Sequence, residues 1–108
     1  MGSNELSAVV KVAACICGKD GLISSPEEEM MFSIISDKFP SFSLSDFNTA
    51  LDDFFDSEDH IEDFLKQVIT EDLRHFAIQL SEKSASVDGL DILENIALQK
   101  AYAYWGIK

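Results

Sequence analysis

The chain has 108 residues, with twenty acidic against eight basic side chains and a formal net charge of −12 at pH 7. A chain of that length makes one domain, residues 1–108, and buries roughly 65% of the surface its unfolded form exposes, enough to fold without disulfides or metals. The charge argues against binding nucleic acid or anionic membranes by bulk electrostatics, and favours basic proteins or cations as partners.

No segment approaches the roughly 18 consecutive apolar residues of a membrane helix, and the first residues lack the basic start and apolar stretch of a signal peptide. A cytoplasmic protein without membrane insertion is expected. Residues 1–4 read as a flexible or partly tag-derived start. Cys15 and Cys17 are one residue apart, so on a helix they point about 200° away from each other and neither bridge nor share a metal. Both are expected to be buried structural thiols.

Apolar residues recur at helical spacing almost throughout and nowhere alternate as in a strand, which predicts an all-α fold. The first helix spans about Glu5 to Cys17, with Leu6, Val9, Val10, Ala13, Ala14 and Cys17 on one stripe and Val12 and Ile16 widening it. So wide an apolar face predicts a central helix. The second starts at Ser25-Pro26-Glu27-Glu28, with Ser25 as N-cap and Glu28 closing a capping box, carries Met31, Ile34, Ile35 and Phe39, and stops at Pro40. A third, from Leu44 to Asp56 after Ser43, is expected to bury Phe47, Ala50, Leu51, Phe54 and Phe55. The fourth, capped by Ser57, should bury Ile61, Phe64, Leu65, Val68 and Ile69. Thr70 caps a fifth with Leu73, Phe76, Ala77 and Leu80, lasting to about Ser86.

The last helix opens on a second capping box, Asp91 with Glu94, and places Leu93, Ile96, Ala97, Ala101, Tyr104 and Trp105 on its stripe. Gly106 followed by Ile107 fits a glycine C-cap with its apolar contact. About six helices joined by short turns make a compact single domain.

Two Asp-Gly pairs, Asp20-Gly21 and Asp88-Gly89, each follow a helix and precede a capping box. Taken singly, each is a turn in which glycine supplies positive φ and aspartate bonds its own backbone. As a pair, the arrangement resembles the TerB-like domains, an all-helical family named for a tellurite-resistance protein. The first unit runs from Ala13-Ala14 through Asp20-Gly21-Leu22-Ile23 to Glu27. The second runs from Asp88-Gly89 to Glu94 and ends at Tyr104-Trp105-Gly106-Ile107. Its turn is one residue shorter, and Gly18-Lys19 and Ser86-Val87 stand where the family tends to place alanines. The resemblance implies a non-enzymatic domain with an acidic surface, and a divalent cation (Ca²⁺ or Mg²⁺) held by Asp20, Glu27, Asp88 and Glu94, with Glu28 as a substitute for Glu27. The same glutamates serve equally as first-turn residues stabilised by the helix dipole, which needs no ion or other cofactor.

The densest charge lies in Asp52–Asp63, where seven of twelve residues are acidic: Asp52, Asp53, Asp56, Glu58, Asp59, Glu62 and Asp63. Crowded like charges repel one another unless a cationic partner benefits from them, so this run is the expected contact for a basic protein. A solvated helix-turn-helix face is the plain alternative. The chain has no Gly-rich phosphate loop, nucleophile elbow or His-Glu metal motif, and His60 and His75 read as surface or partly packed residues. No enzymatic activity is expected. Two functions remain: a bacterial immunity or antitoxin protein that blocks a cationic toxin such as a nuclease, and a cation-binding stress-response protein of the tellurite-resistance kind.

Overall fold

Apolar residues on every side of the first helix require neighbours on every side, and the computed structural model shows that arrangement. It describes residues 2–17, 23–56, 60–88 and 92–107, excluding the side chains of residues 2–4, 88, 92 and 93. Six α-helices and no strand occur among the described residues: α1 Gly2–Cys17, α2 Ser25–Lys38, α3 Leu44–Asp56, α4 Ile61–Leu65, α5 Glu71–Ala85 and α6 Ile92–Trp105, with a 3-10 turn Ser86–Asp88 after α5. The all-α expectation holds.

Helix α1 packs against all five others, most extensively against α5. Val9, Val10, Val12, Ala13, Ala14 and Ile16 are fully buried along it. Each buried valine or isoleucine contributes roughly 1.5–3 kcal/mol, which makes α1 the centre of the fold's stability. The radius of gyration, 12.2 Å, compares with about 13 Å for a compact chain of this length, so the helices form one body around α1.

The local boundaries follow from backbone groups that need partners. At the start of α2, Glu27 N–H donates to Ser24 Oγ at 3.2 Å and Ser24 N–H to Glu27 Oε1 at 3.0 Å. The capping box is therefore Ser24 with Glu27, one residue earlier than the expected Ser25 with Glu28, and Pro26 falls within the first turn. Ser43 and Asp46 form a matching box at α3, both bonds 3.1 Å. At the other end of the chain Gly106 has φ 68°. Its N–H reaches Ala103 O at 3.3 Å while Ile107 N–H reaches Tyr102 O at 2.9 Å, the Schellman pattern expected for Gly106.

Three expectations need correction. Helix α4 is only Ile61–Leu65, so Val68 and Ile69 lie on the following segment, where Val68 is buried and Ile69 is 73% exposed. Its N-cap is His60, whose N–H donates to Asp63 Oδ2 at 3.0 Å; the expected cap Ser57 lies outside the described residues. Phe55 is 51% exposed. Phe47, Ala50, Leu51 and Phe54 centre the buried face of α3, and at 100° per residue Phe55 falls about 90° from that centre. In α6, Ile96 and Tyr104 are exposed and the buried stripe is Glu94, Ala97, Leu98, Ala101 and Trp105. Helix α6 is apolar on most sides, so periodicity alone could not choose its face. The first helix also begins at Gly2, earlier than expected.

Candidate functional site

The acidic run divides in two when its side chains are placed. Asp52, Asp53 and Asp56 are exposed on the last turns of α3, and among the described residues none of the three has an ion-pair or side-chain hydrogen-bond partner. Glu62 and Asp63 are engaged within the chain. Lys100 Nζ lies 2.8 Å from Glu62 Oε2, and Asp63 both caps α4 and meets Lys66 at 3.4 Å. These contacts hold both carboxyls below the usual carboxylate range, Glu62 chiefly through Lys100 and Asp63 chiefly through the His60 N–H. Glu58 and Asp59 lie outside the described residues.

Aromatic packing fixes the end of α3. Phe54 stacks edge-on with Phe55 at 5.3 Å between ring centroids and tilts against Phe64 of α4 at 5.7 Å. Phe54 thereby pins the helix end to the core, and Phe55 stands half out of it, one turn after Asp52. The position is electrostatically unfavourable twice over. Asp52 and Asp56 are a like-charge i,i+4 pair, and all three acids sit at the negative end of the α3 dipole, where the last turn has no basic residue. The sequence retains a charge pattern there that folding alone disfavours.

A second acidic pair is internal. Glu27 is 5% and Glu94 is 7% exposed. Both lie close enough to Cys17, at the end of α1, to act on its thiol, which burial first and then the two carboxylates push well above the ordinary thiol range. The two glutamates that the paired Asp-Gly pattern singled out are thus both buried, and both act on the one thiol. Helix α2 also packs on the Ser86–Asp88 turn. Asp20 is outside the described residues, and of Asp88 only the backbone is described, in the 3-10 turn. Among the described residues no group of three or more His, Cys, Asp or Glu side chains is arranged to hold a metal ion.

His60 and His75 are both exposed; His75 lies 3.9 Å from Glu71. A concavity of about 580 Å³ lies between the end of α2 and α5 and contains Lys38 above the Phe39 and Phe76 rings. It includes no member of either acidic group. Sequence reasoning missed the exposure of Phe55, which its angular distance from the α3 core face would have signalled. No helix among the described residues is long and apolar enough to cross a membrane. Comparison with known proteins finds no match to a family model, to a curated protein or to a solved structure.

Proposed function

We propose that the chain is a non-enzymatic, cytoplasmic, TerB-like helical domain that binds a basic protein through the exposed end of α3, and that this partner is a cationic bacterial toxin, such as a nuclease, which the chain inhibits as an immunity or antitoxin protein. One observation carries the reading: Asp52, Asp53 and Asp56 are exposed on the same last turns of α3 as the half-exposed Phe55, where both the helix dipole and mutual repulsion disfavour them. Departures from local consistency of this kind concentrate at functional sites.

The physical division of labour follows. A field from unpaired carboxylates raises the encounter rate with a cationic surface. A partly exposed aromatic then supplies the apolar anchor that slows release. A nuclease surface built to hold phosphates is a natural target, since a row of carboxylates offers it fixed negative charge in place of the nucleic-acid backbone.

Co-expression of the chain with the reading frames flanking its gene tests this directly. A cationic product that co-purifies with the wild type and is lost with D52N/D53N/D56N supports it. If every cationic flanking product fails to bind, the inhibitory reading is overturned.

A second reading, a divalent-cation-binding stress-response protein of the tellurite-resistance type, is supported by the burial of Glu27 and Glu94 beside one thiol. Two carboxylates with the oxygens of Asp20 and Asp88 would suit a hard ion such as Ca²⁺ or Mg²⁺. Calorimetric titration with Ca²⁺, Mg²⁺ and Zn²⁺ decides it: a saturable site lost in E27Q and E94Q supports the reading, and no saturable heat removes it.

A further inference from the structure

The concavity between the end of α2 and α5 holds a charge of each sign over an aromatic floor. Phe39, at the C-cap of α2, and Phe76 of α5 meet edge-on at 5.4 Å between ring centroids and an interplanar angle of 79°, and Leu73 extends the apolar surface one turn toward the start of α5. Lys38 lies above both rings, 5.9 Å from the Phe39 centroid and 5.7 Å from that of Phe76. Asp72, His75 and Gln79 follow at i, i+3 and i+7 along α5, which puts them on one lip of the cavity. The volume of about 580 Å³ falls within the roughly 300–1,000 Å³ of small-molecule sites, whose usual lining is an apolar surface with a few placed polar groups.

We propose that this cavity binds a small zwitterion with an apolar body, of which an aromatic α-amino acid is the simplest case: its carboxylate pairs with Lys38, its ammonium with Asp72, and its side chain lies on the Phe39–Phe76 floor. Charge selects that class. Neither Lys38 nor Asp72 has an ion-pair partner among the described residues, so the two do not neutralise each other. A ligand of net negative charge approaches against the field of a chain of net charge −12 and meets Asp72, whereas one of net positive charge meets Lys38. A neutral ligand with separated charges satisfies both ends. Of the neighbouring acids, Glu71 lies 3.9 Å from His75 and lines a different concavity with Arg74, and Asp37 is exposed outside the lining.

The position of Lys38 leaves its charge free for this use. An exposed ammonium over aromatic rings gains little from them and keeps most of its hydration, so a carboxylate competes for it readily. Because Lys38 and Asp72 are both exposed, each ion pair strengthens binding by a factor of about five at most, and the dissociation constant of an aromatic amino acid falls in the range of about 0.1–1 mM. The cavity contains no member of the Asp52–Asp63 run, so this site and the α3 surface stand or fall separately.

Proton–nitrogen NMR titration of the full chain with L-phenylalanine, N-acetyl-L-phenylalanine and L-phenylalaninamide, each to about 10 mM, reads affinity and location together. Expected for L-phenylalanine are saturable shifts centred on residues 38, 39 and 70–79. The acetylated form lacks the ammonium and the amide lacks the carboxylate, so each should bind about threefold or more weakly. K38Q and D72N should each weaken L-phenylalanine by about the same factor, while D72N leaves the acetylated form no weaker. Dispersed spectra of the two variants check that they remain folded. No saturable shift with L-phenylalanine, or shifts centred elsewhere, overturns the site. Derivatives that bind as tightly as L-phenylalanine overturn the zwitterion, and an affinity unchanged by K38Q and D72N overturns the pairing of its charges.

Discussion

Glu5 of α1 closes the start of α5: its Oε2 accepts the N–H of Thr70 at 2.6 Å and of Ile69 at 2.8 Å, and its Oε1 accepts the Thr70 hydroxyl at 3.1 Å. Thr70 occupies the N-cap position, as the sequence suggested, but its side chain makes no cap bond to its own helix. A carboxylate from another helix takes the place of a local cap and ties the segment after α4 to the centre of the fold.

Removing that carboxylate should therefore cost about 1 kcal/mol, in the range of a lost helix cap. The effect of E5Q should also depend on pH. Hydrogen bonding, led by the Thr70 N–H, lowers the Glu5 pKa from its ordinary 4.5. A lowered folded-state value means the contribution is fully present above pH 4.5 and is lost as pH falls through the folded value. Urea unfolding of wild type and E5Q should differ most near neutrality and converge in strong acid. A constant difference would show that the carboxylate charge is not what matters.

Trp105 closes the same region from α6. Its Nε1–H donates to Leu65 O at 3.0 Å in a buried setting, and the Arg74 guanidinium lies 6.0 Å from its ring centroid while Arg74 Nε donates to Val68 O at 2.7 Å. Trp105→Phe leaves a buried carbonyl without its donor, at a cost of roughly 1–3 kcal/mol. Thermal unfolding should shift down by several degrees, on the order of 4–8 °C per kcal/mol for a domain this small. An unchanged midpoint would mean the Leu65 carbonyl finds another donor.

Gly106 ends α6 at φ 68° with nothing within 4 Å of where a Cβ would stand. Space is no obstacle there, so any cost of Gly106→Ala comes from the left-handed backbone alone, about 1–2 kcal/mol. Gly106→Asn should cost less, since asparagine enters that region more readily. Equal losses for the two variants would point to a contact instead of backbone strain.

The two thiols should separate in reactivity. Cys17 is buried and its pKa is pushed up by that burial and by Glu27 and Glu94, whereas Cys15 is half-buried. Alkylation of the native protein near pH 8 should modify at most Cys15, with Cys17 reacting only on unfolding. Rapid native labelling of Cys17, read by peptide mass spectrometry, would place its thiol in a more open site.

Much of the fold was legible in the sequence for a local reason. The stripe of α1, the Ser43 and Gly106 boundaries and the core positions of α3 other than Phe55 are set by neighbours within a few residues, which spacing records. The Glu5–Thr70 contact left no such trace, because its partners are far apart in sequence and meet only through packing. Val68 and Ile69 continued the α4 pattern but belong to the segment held by Glu5, Arg74 and Trp105, so tertiary bonds ended a helix that periodicity would have prolonged. Of the candidate sites, the acids were visible as a run, but which of them are already engaged within the chain depended on Lys100 and on the His60 N–H.

The distinction between engaged and unengaged acids leads to the decisive measurement. The association rate of the chain with the cationic product of an adjoining gene should be followed by stopped flow at low and high salt, for wild type and for D52N/D53N/D56N. Expected are a wild-type rate that falls steeply with salt and a variant about tenfold or more slower at low salt, with its salt dependence flattened. Equal rates and equal salt slopes for the two proteins would contradict a binding role for the end of α3.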